Sequence, residues 1–294
     1  MSSAQTAGWL RAALTAASDT GQVNVEGTTI QYRAWGPRDT SGAVLIHGGA
    51  AHARWWDHIG AMLGAEYRTV ALDLSGHGGS GRRREYTFDT WAAEVLAAGA
   101  HGGIGGKPVL VGHSMGGFVA LIAGTRHGDR LAGVVTVDSP VTEMSPEEAA
   151  AESRQAFGPL NVYESAEAAL DRFRLIPECH CAADDLIHHI ALHSVARVPG
   201  GWSWKFDPQI FSRTRLLPSE LFRISCPFVA LRGEYGLVTP GMSKIIRERT
   251  GQLTSVIDIP EAGHQVLLDQ PLALVAAVRI LLAEWTGATF DGHP

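Results

Sequence analysis

The stretch KPVLVGHSMGGFVALIAG, residues 107–124, decides the fold. Val109 to Val111 form a short, continuous apolar run, as a strand covered on both faces requires. From Phe118 onward the chain is again apolar and predicts a helix. Only Gly-His-Ser-Met-Gly-Gly, 112–117, lies between the two, and its first five residues carry the motif. This is a G-x-S-x-G pattern. A strand that turns so abruptly into a helix needs glycines, because side chains at the flanking positions would clash, and the turn lifts Ser114 Oγ clear of the sheet.

The same rhythm continues on both sides. Upstream, GAVLIHGG (42–49) and YRTVALDLSGHG (67–78) are buried-strand runs, and TFDTWAAEVLAAGA (87–100) has helical spacing after a Thr and Asp start. Downstream, LAGVVTVDSP (131–140), CPFVALRGE (226–234) and LTSVIDIPEAGH (253–264) predict strands, with helices over GMSKIIRERTG and PLALVAAVRILLAEW. QVNVEGTTIQYRAWG, alternating about Glu26-Gly27, predicts a β-hairpin. Strands that alternate with helices argue for the α/β class, with a mostly parallel central sheet flanked by helices. Between 142 and 220 the buried-strand runs stop. The expected organisation is an N-terminal tail or short helix over 1–22, a core formed by 23–141 and 221–294, and a helical cap over 142–220.

The chain has 294 residues, enough for one large α/β core with a moderate insertion. A net charge of −6, with GRRRE at 81–85 as the densest basic run, argues against a nucleic-acid partner. No apolar stretch reaches the roughly 18 residues that cross a bilayer. The N-terminus lacks the strong apolar centre of a signal peptide. Three cysteines do not make a disulfide framework, so a reducing, cytoplasmic location is expected.

In an open α/β sheet, ligands bind beyond the carboxyl ends of the strands. The sequence places His47, Gly48, Gly49, Asp73, Ser114, Asp138, Glu234 and His264 at or just after such ends. With LIHGG, LDLSGHGGSG, VGHSMGG and PEAGHQVLLDQP in that order, the chain resembles an α/β-hydrolase of the esterase, lipase and haloperoxidase-like branch, from about residue 23 to 287. The resemblance implies Ser114 as nucleophile and His264 as its base. It implies the backbone amides of Met115 and Gly49 as oxyanion donors. His47 is expected to orient the loop that carries Gly49, His113 to pack beside the serine, and Asp73 to be structural. The family often has Asp where this chain has Gly79, which implies a looser loop.

The histidine also needs an acid to fix its tautomer and stabilise the imidazolium. The family's common position is three residues after the glycine of LRGEYG, and here it holds Gly236. Two carboxylates remain. Asp138 ends the strand after the nucleophile helix, a strand end from which some relatives supply their acid. Glu234 lies one residue after Gly233 and has the longer side chain. Asp138 is favoured, with Glu234 as the alternative; Asp138 could equally cap the turn at Ser139-Pro140.

Trp202, Trp204 and Phe206, in GGWSWKFDPQIF (200–211), are candidate substrate-binding residues, or else the cap's own core. ECHCAADDLIHHIALH brings Cys179, His180, Cys181, His188, His189 and His193 together in sequence, but the Cys-His-Cys succession does not match a zinc-finger spacing. No metal and no organic cofactor is expected. The expected activity is hydrolysis of small-molecule carboxylic esters with an apolar portion, through an acyl-serine. A lactonase, thioesterase, C–C hydrolase or perhydrolase would use the same groups. Gly236 leaves open a catalytically silent small-molecule receptor.

Overall fold

The computed structural model describes residues 3–142, 148, 159–179, 182–213 and 216–287. In chain order the strands are β1 (Asp19–Val25), β2 (Thr28–Trp35), β3 (Gly42–Ile46), β4 (Arg68–Leu72), β5 (Val109–His113), β6 (Gly133–Val137), β7 (Val195–Val198), β8 (Gly201–Trp204), β9 (Phe228–Gly233) and β10 (Leu253–Ile259). The α-helices are α1 (Ser3–Thr15), α2 (Asp57–Leu63), α3 (Phe88–His101), α4 (Met115–His127), α5 (Ala166–Leu170), α6 (Asp184–Ser194), α7 (Pro240–Thr250), α8 (Val266–Asp269) and α9 (Pro271–Thr286).

Eight strands form one sheet in the order β1-β2-β4-β3-β5-β6-β9-β10. The β1–β2 and β2–β4 pairings are antiparallel, and every pairing from β4 to β10 is parallel. All residues of β3, β4, β5 and β6 are buried, which is why apolar residues dominate these segments. Alternation along β3 divides the core into two layers. Val44 and Ile46 pack with Trp91 and Val95 of α3 and Phe118 of α4. Ala43 and Leu45 pack with Ile59 of α2 and Leu274 and Val278 of α9, and Leu10 of α1 joins this side.

Strand β3 is followed outward by β4, after which the chain returns to the other side of β3 as β5. The reversal makes β3/β5 a topological switch point, where the loops leaving the two strands part and open a crevice. Gly48–Gly49 and Ser114 therefore meet at the one place where the sheet itself provides a binding cleft.

The segment between β6 and β9 is mixed rather than wholly helical. Besides α5 and α6 it contains an antiparallel hairpin, β7–β8, with Arg197 opposite Trp202. Each strand is four residues long and much of the pair is only partly buried, so no buried-strand run marks it in the sequence. Gly200, at φ +88, supplies the left-handed turn between the two strands. No described helix is long and apolar enough to cross a membrane.

Candidate active site

Ser114 sits between the last residue of β5 and the first of α4 with φ 52 and ψ −121, a conformation a non-glycine residue holds only when its surroundings enforce it. Its amide donates to Val137 O (3.0 Å) and its carbonyl accepts from Gly117 N–H (2.9 Å). The glycines are required by space. A Cβ on Gly112 would lie 2.7 Å from Gly117 N, and one on Gly116 would lie 2.5 Å from His47 O. The backbone of the β3 loop thus comes to rest against the start of α4, and Ser114 is left partly exposed among buried neighbours.

His264 Nε2 lies 3.1 Å from Ser114 Oγ, and His264 Nδ1 lies 2.6 Å from Asp138 Oδ2. Asp138 follows β6 at φ 43, is fully buried, and donates its amide to Leu231 O at 2.8 Å. A buried carboxylate is tolerable only when hydrogen-bonded. Asp138 Oδ2 also accepts Leu237 N–H (2.8 Å), and Oδ1 accepts longer bonds from Gly233 and Val238 N–H (3.4 Å each). The carboxylate as sole acceptor means that His264 Nδ1 carries the proton, which leaves Nε2 as the acceptor for the serine hydroxyl.

Gly236 faces this carboxylate. A Cβ built on it would fall 2.6 Å from Asp138 Cγ and closer still to Oδ1. Asp138 thus occupies the space in which an acid at 236 would begin. Glu234 is directed elsewhere: its exposed side chain accepts the amide of Glu261 at 3.0 Å, where the chain turns out of β10 with Glu261 at φ 57.

Gly48 and Gly49 lie over the serine. A Cβ on Gly48 would stand 3.3 Å from Ser114 Cβ, and one on Gly49 3.8 Å from Met115 Sδ and 3.5 Å from Phe211 Cε1. Met115 begins α4, so its amide has no intrahelical acceptor. His47 holds this loop in place. Its Nδ1–H donates to Gly48 O (2.7 Å), and its Nε2 accepts Leu74 N–H (3.1 Å) across to the loop after β4. Burial lowers its pKa, so the neutral ring that makes both bonds persists.

Asp73 is a brace. Its two oxygens accept Ala53 N–H (2.7 Å) and Gly79 N–H (2.8 Å). The expected loosening at Gly79 is not found. The amide is tied to Asp73, and a Cβ there would meet only the far end of the exposed Gln31 side chain.

Two supports are not evident from the sequence. His113 donates Nε2–H to His264 O at 2.9 Å and packs its ring against His264 with centroids 4.8 Å apart. Burial, reinforced by His264, lowers its pKa and keeps it neutral. Asp269 Oδ2 accepts Gly263 N–H at 2.9 Å and closes the histidine loop on itself. The local signal for Asp269 was its place in GHQVLLD, five residues beyond His264.

Trp202 and Trp204 lie on β8. Trp204 packs with Tyr163 and Phe173 of the inserted segment, with centroids 5.9 and 6.2 Å away. Phe206 packs edge-on to Phe211, which in turn reaches the Gly49 loop. His189 Nε2 lies 3.0 Å from Asp57 Oδ2, and His193 Nδ1–H donates to His189 O (2.8 Å). His188 is exposed, and His180 and Cys181 lie outside the described residues. Among the described residues no three His, Cys, Asp or Glu side chains are arranged to hold a metal ion.

The sequence profile described as "Alpha/beta hydrolase family" matches residues 43–278. Esterase Rv0045c of Mycobacterium tuberculosis is 28% identical over 268 residues, covering 88% of each chain. A non-heme chloroperoxidase of Streptomyces lividans is 34% identical over 148 residues, 49% of this chain and 52% of that protein. Among solved structures, the thioesterase domain from the curacin biosynthetic pathway superposes with a TM-score of 0.75 at 21% identity, covering 90% of this chain and all of that domain.

Proposed function

The chain belongs to the alpha/beta hydrolase family, and from that premise we propose that it is a serine hydrolase of carboxylic esters, with Ser114, His264 and Asp138 as its catalytic groups. The observation that carries this reading is the unbroken line of hydrogen bonds from Asp138 through His264 to Ser114. Similarity to an esterase along most of both chains supports the choice of ester over other acyl substrates.

His264 Nε2 takes the Ser114 proton as Oγ attacks the ester carbonyl carbon, and the carbonyl π pair moves onto oxygen. The amides of Met115 and Gly49 receive that oxyanion. As the tetrahedral species collapses, the C–O bond to the alcohol breaks and the imidazolium returns its proton to the leaving oxygen. Water, deprotonated by the same nitrogen, then attacks acyl-Ser114. The acid leaves and Oγ regains its proton. Asp138 keeps the proton on Nδ1 throughout and stabilises the transient charge. No metal or organic cofactor takes part in this cycle.

The described residues between 159 and 220 act in this reading as a cap over the crevice. Phe206, Ile210 and Leu216 from this segment join Met115 and Val141 in one buried apolar cluster, with Phe211 packed against it. Phe211, partly buried and packed against the Gly49 turn, supports a substrate with an apolar portion. Gly236 was the feature that favoured a silent receptor; the 2.6 Å contact between Asp138 and His264 supports the enzyme reading instead. Labelling with a fluorophosphonate tests the proposal. Modification at Ser114, mapped by mass spectrometry, together with turnover of p-nitrophenyl esters, is the expected result. A folded protein that resists the probe while a control esterase reacts would overturn it.

A further inference from the structure

Charged groups that the ester chemistry does not use converge on a cavity of about 230 Å3, which neither Ser114 nor His264 lines. Three cations face it: Arg33 from β2, Arg54 from the turn before α2, and Lys205 from the inserted segment. One carboxylate, Asp73, opposes them, and its two oxygens already accept the amides of Ala53 and Gly79. Arg33 and Arg54 each reach Asp57 through a single nitrogen, at 2.7 and 3.3 Å, so most of each guanidinium fork is left for another acceptor. Lys205 is half-buried and makes no ion pair within 4.0 Å among the described residues; Asp73 attracts its ammonium group from farther away. Charges removed from water are ordinarily paired.

We propose that this cavity binds a small oxyanion, a phosphate or carboxylate group, held between Lys205 of the inserted segment and Arg33 and Arg54 of the core. Guanidinium forks match the oxygens of either group, and the ammonium adds a compact point charge. The remaining groups fit this chemistry. His52 is held well below its usual pKa by burial and then by His47, Lys205, His193 and Arg54, so it is neutral. Burial likewise lowers His193. Both rings are therefore neutral, and the positive charge of the site rests on Arg33, Arg54 and Lys205. With Asp57 counted beside Asp73, the three cations still outnumber the carboxylates by one, on a chain whose net charge is −6. A bound anion would tie the inserted segment to the loop that carries His52 and Ala53, three and four residues beyond Gly49.

Calorimetric titration of the full chain at low ionic strength, with inorganic phosphate and separately with succinate, tests the site. One saturable site for at least one anion is expected. A response to phosphate alone identifies a phosphate group as the ligand, and a response to succinate alone identifies a carboxylate. Lys205→Gln weakens binding by about tenfold or more, Lys205→Arg recovers most of it, and Arg54→Gln weakens it independently. Saturating anion raises Tm of the wild type but not of Lys205→Gln. Labelling at Ser114, in which neither residue takes part, reports that the variants are folded. No saturable binding of either anion to the wild type, or binding unchanged in both Lys205→Gln and Arg54→Gln, overturns the proposal.

Discussion

His113 and His264 are joined twice, by a 2.9 Å hydrogen bond from the His113 ring to the His264 carbonyl and by ring contact at 4.8 Å. Asp138 orients the side chain of His264, while His113 fixes the main chain that carries it. The variable position of the G-x-S-x-G turn thus registers the serine loop against the histidine loop.

His113→Phe keeps the ring and removes the donor. The expected result is a kcat lower by about tenfold with KM nearly unchanged, because the defect lies in alignment and not in substrate contact. Steady-state kinetics on a p-nitrophenyl ester read it directly, and an unaltered kcat would remove the positioning role.

Asp138→Ala is expected to lower kcat by about 10²–10⁴-fold, whereas Glu234→Ala changes it less than about twofold, because the Glu234 carboxylate holds a turn and not the base. A stronger test moves the acid. Gly236→Asp alone should damage the enzyme through collision with Asp138, and Asp138→Gly with Gly236→Asp should recover part of the activity. The doubly substituted protein faring no better than Asp138→Gly would count against shared space as the explanation.

Phe211 stands against the Gly49 turn, beside the position the proposed mechanism gives the acyl group. Phe211→Ala opens that wall and is expected to lower kcat/KM for short acyl esters by about 10-fold or less, with relatively better turnover of bulkier ones. Rates across a series of acyl chain lengths, normalised to acetate, show the shift in preference.

Five buried histidines, His47, His52, His58, His77 and His113, have pKa values lowered chiefly by burial, His58 to about 4. Unfolding returns each to about 6.5, so below that pH the unfolded chain binds more protons. Stability is therefore full above about pH 6.5 and is lost as the pH falls toward 4, by up to about 1.4 kcal/mol per pH unit for each histidine that stays neutral in the fold. Urea unfolding at a series of pH values checks this. A flat stability profile between pH 7 and 5 would contradict it.

The strands, the serine turn and the histidine loop were legible because each is local: a buried run, a glycine-flanked turn, a loop of fixed composition. Asp138 could be narrowed to one of two residues, since strand ends were readable but the direction of a side chain was not. The hairpin at β7–β8 was hidden because its strands are short and much of the pair is only partly buried. The meeting of Arg33, Arg54 and Lys205 around one cavity depends on contacts between distant segments, for which periodicity carries no signal.

The crowding between residues 138 and 236 also bears on descent. Two positions that draw on the same volume cannot both be filled, so a lineage exchanging one acid for the other cannot pass through an ancestor that comfortably holds both. It must cross a sequence with a weakened base, or one in which the loop from Gly233 to Val238 has first drawn back. In this chain Gly236 is what leaves that volume to the Asp138 carboxylate beside His264.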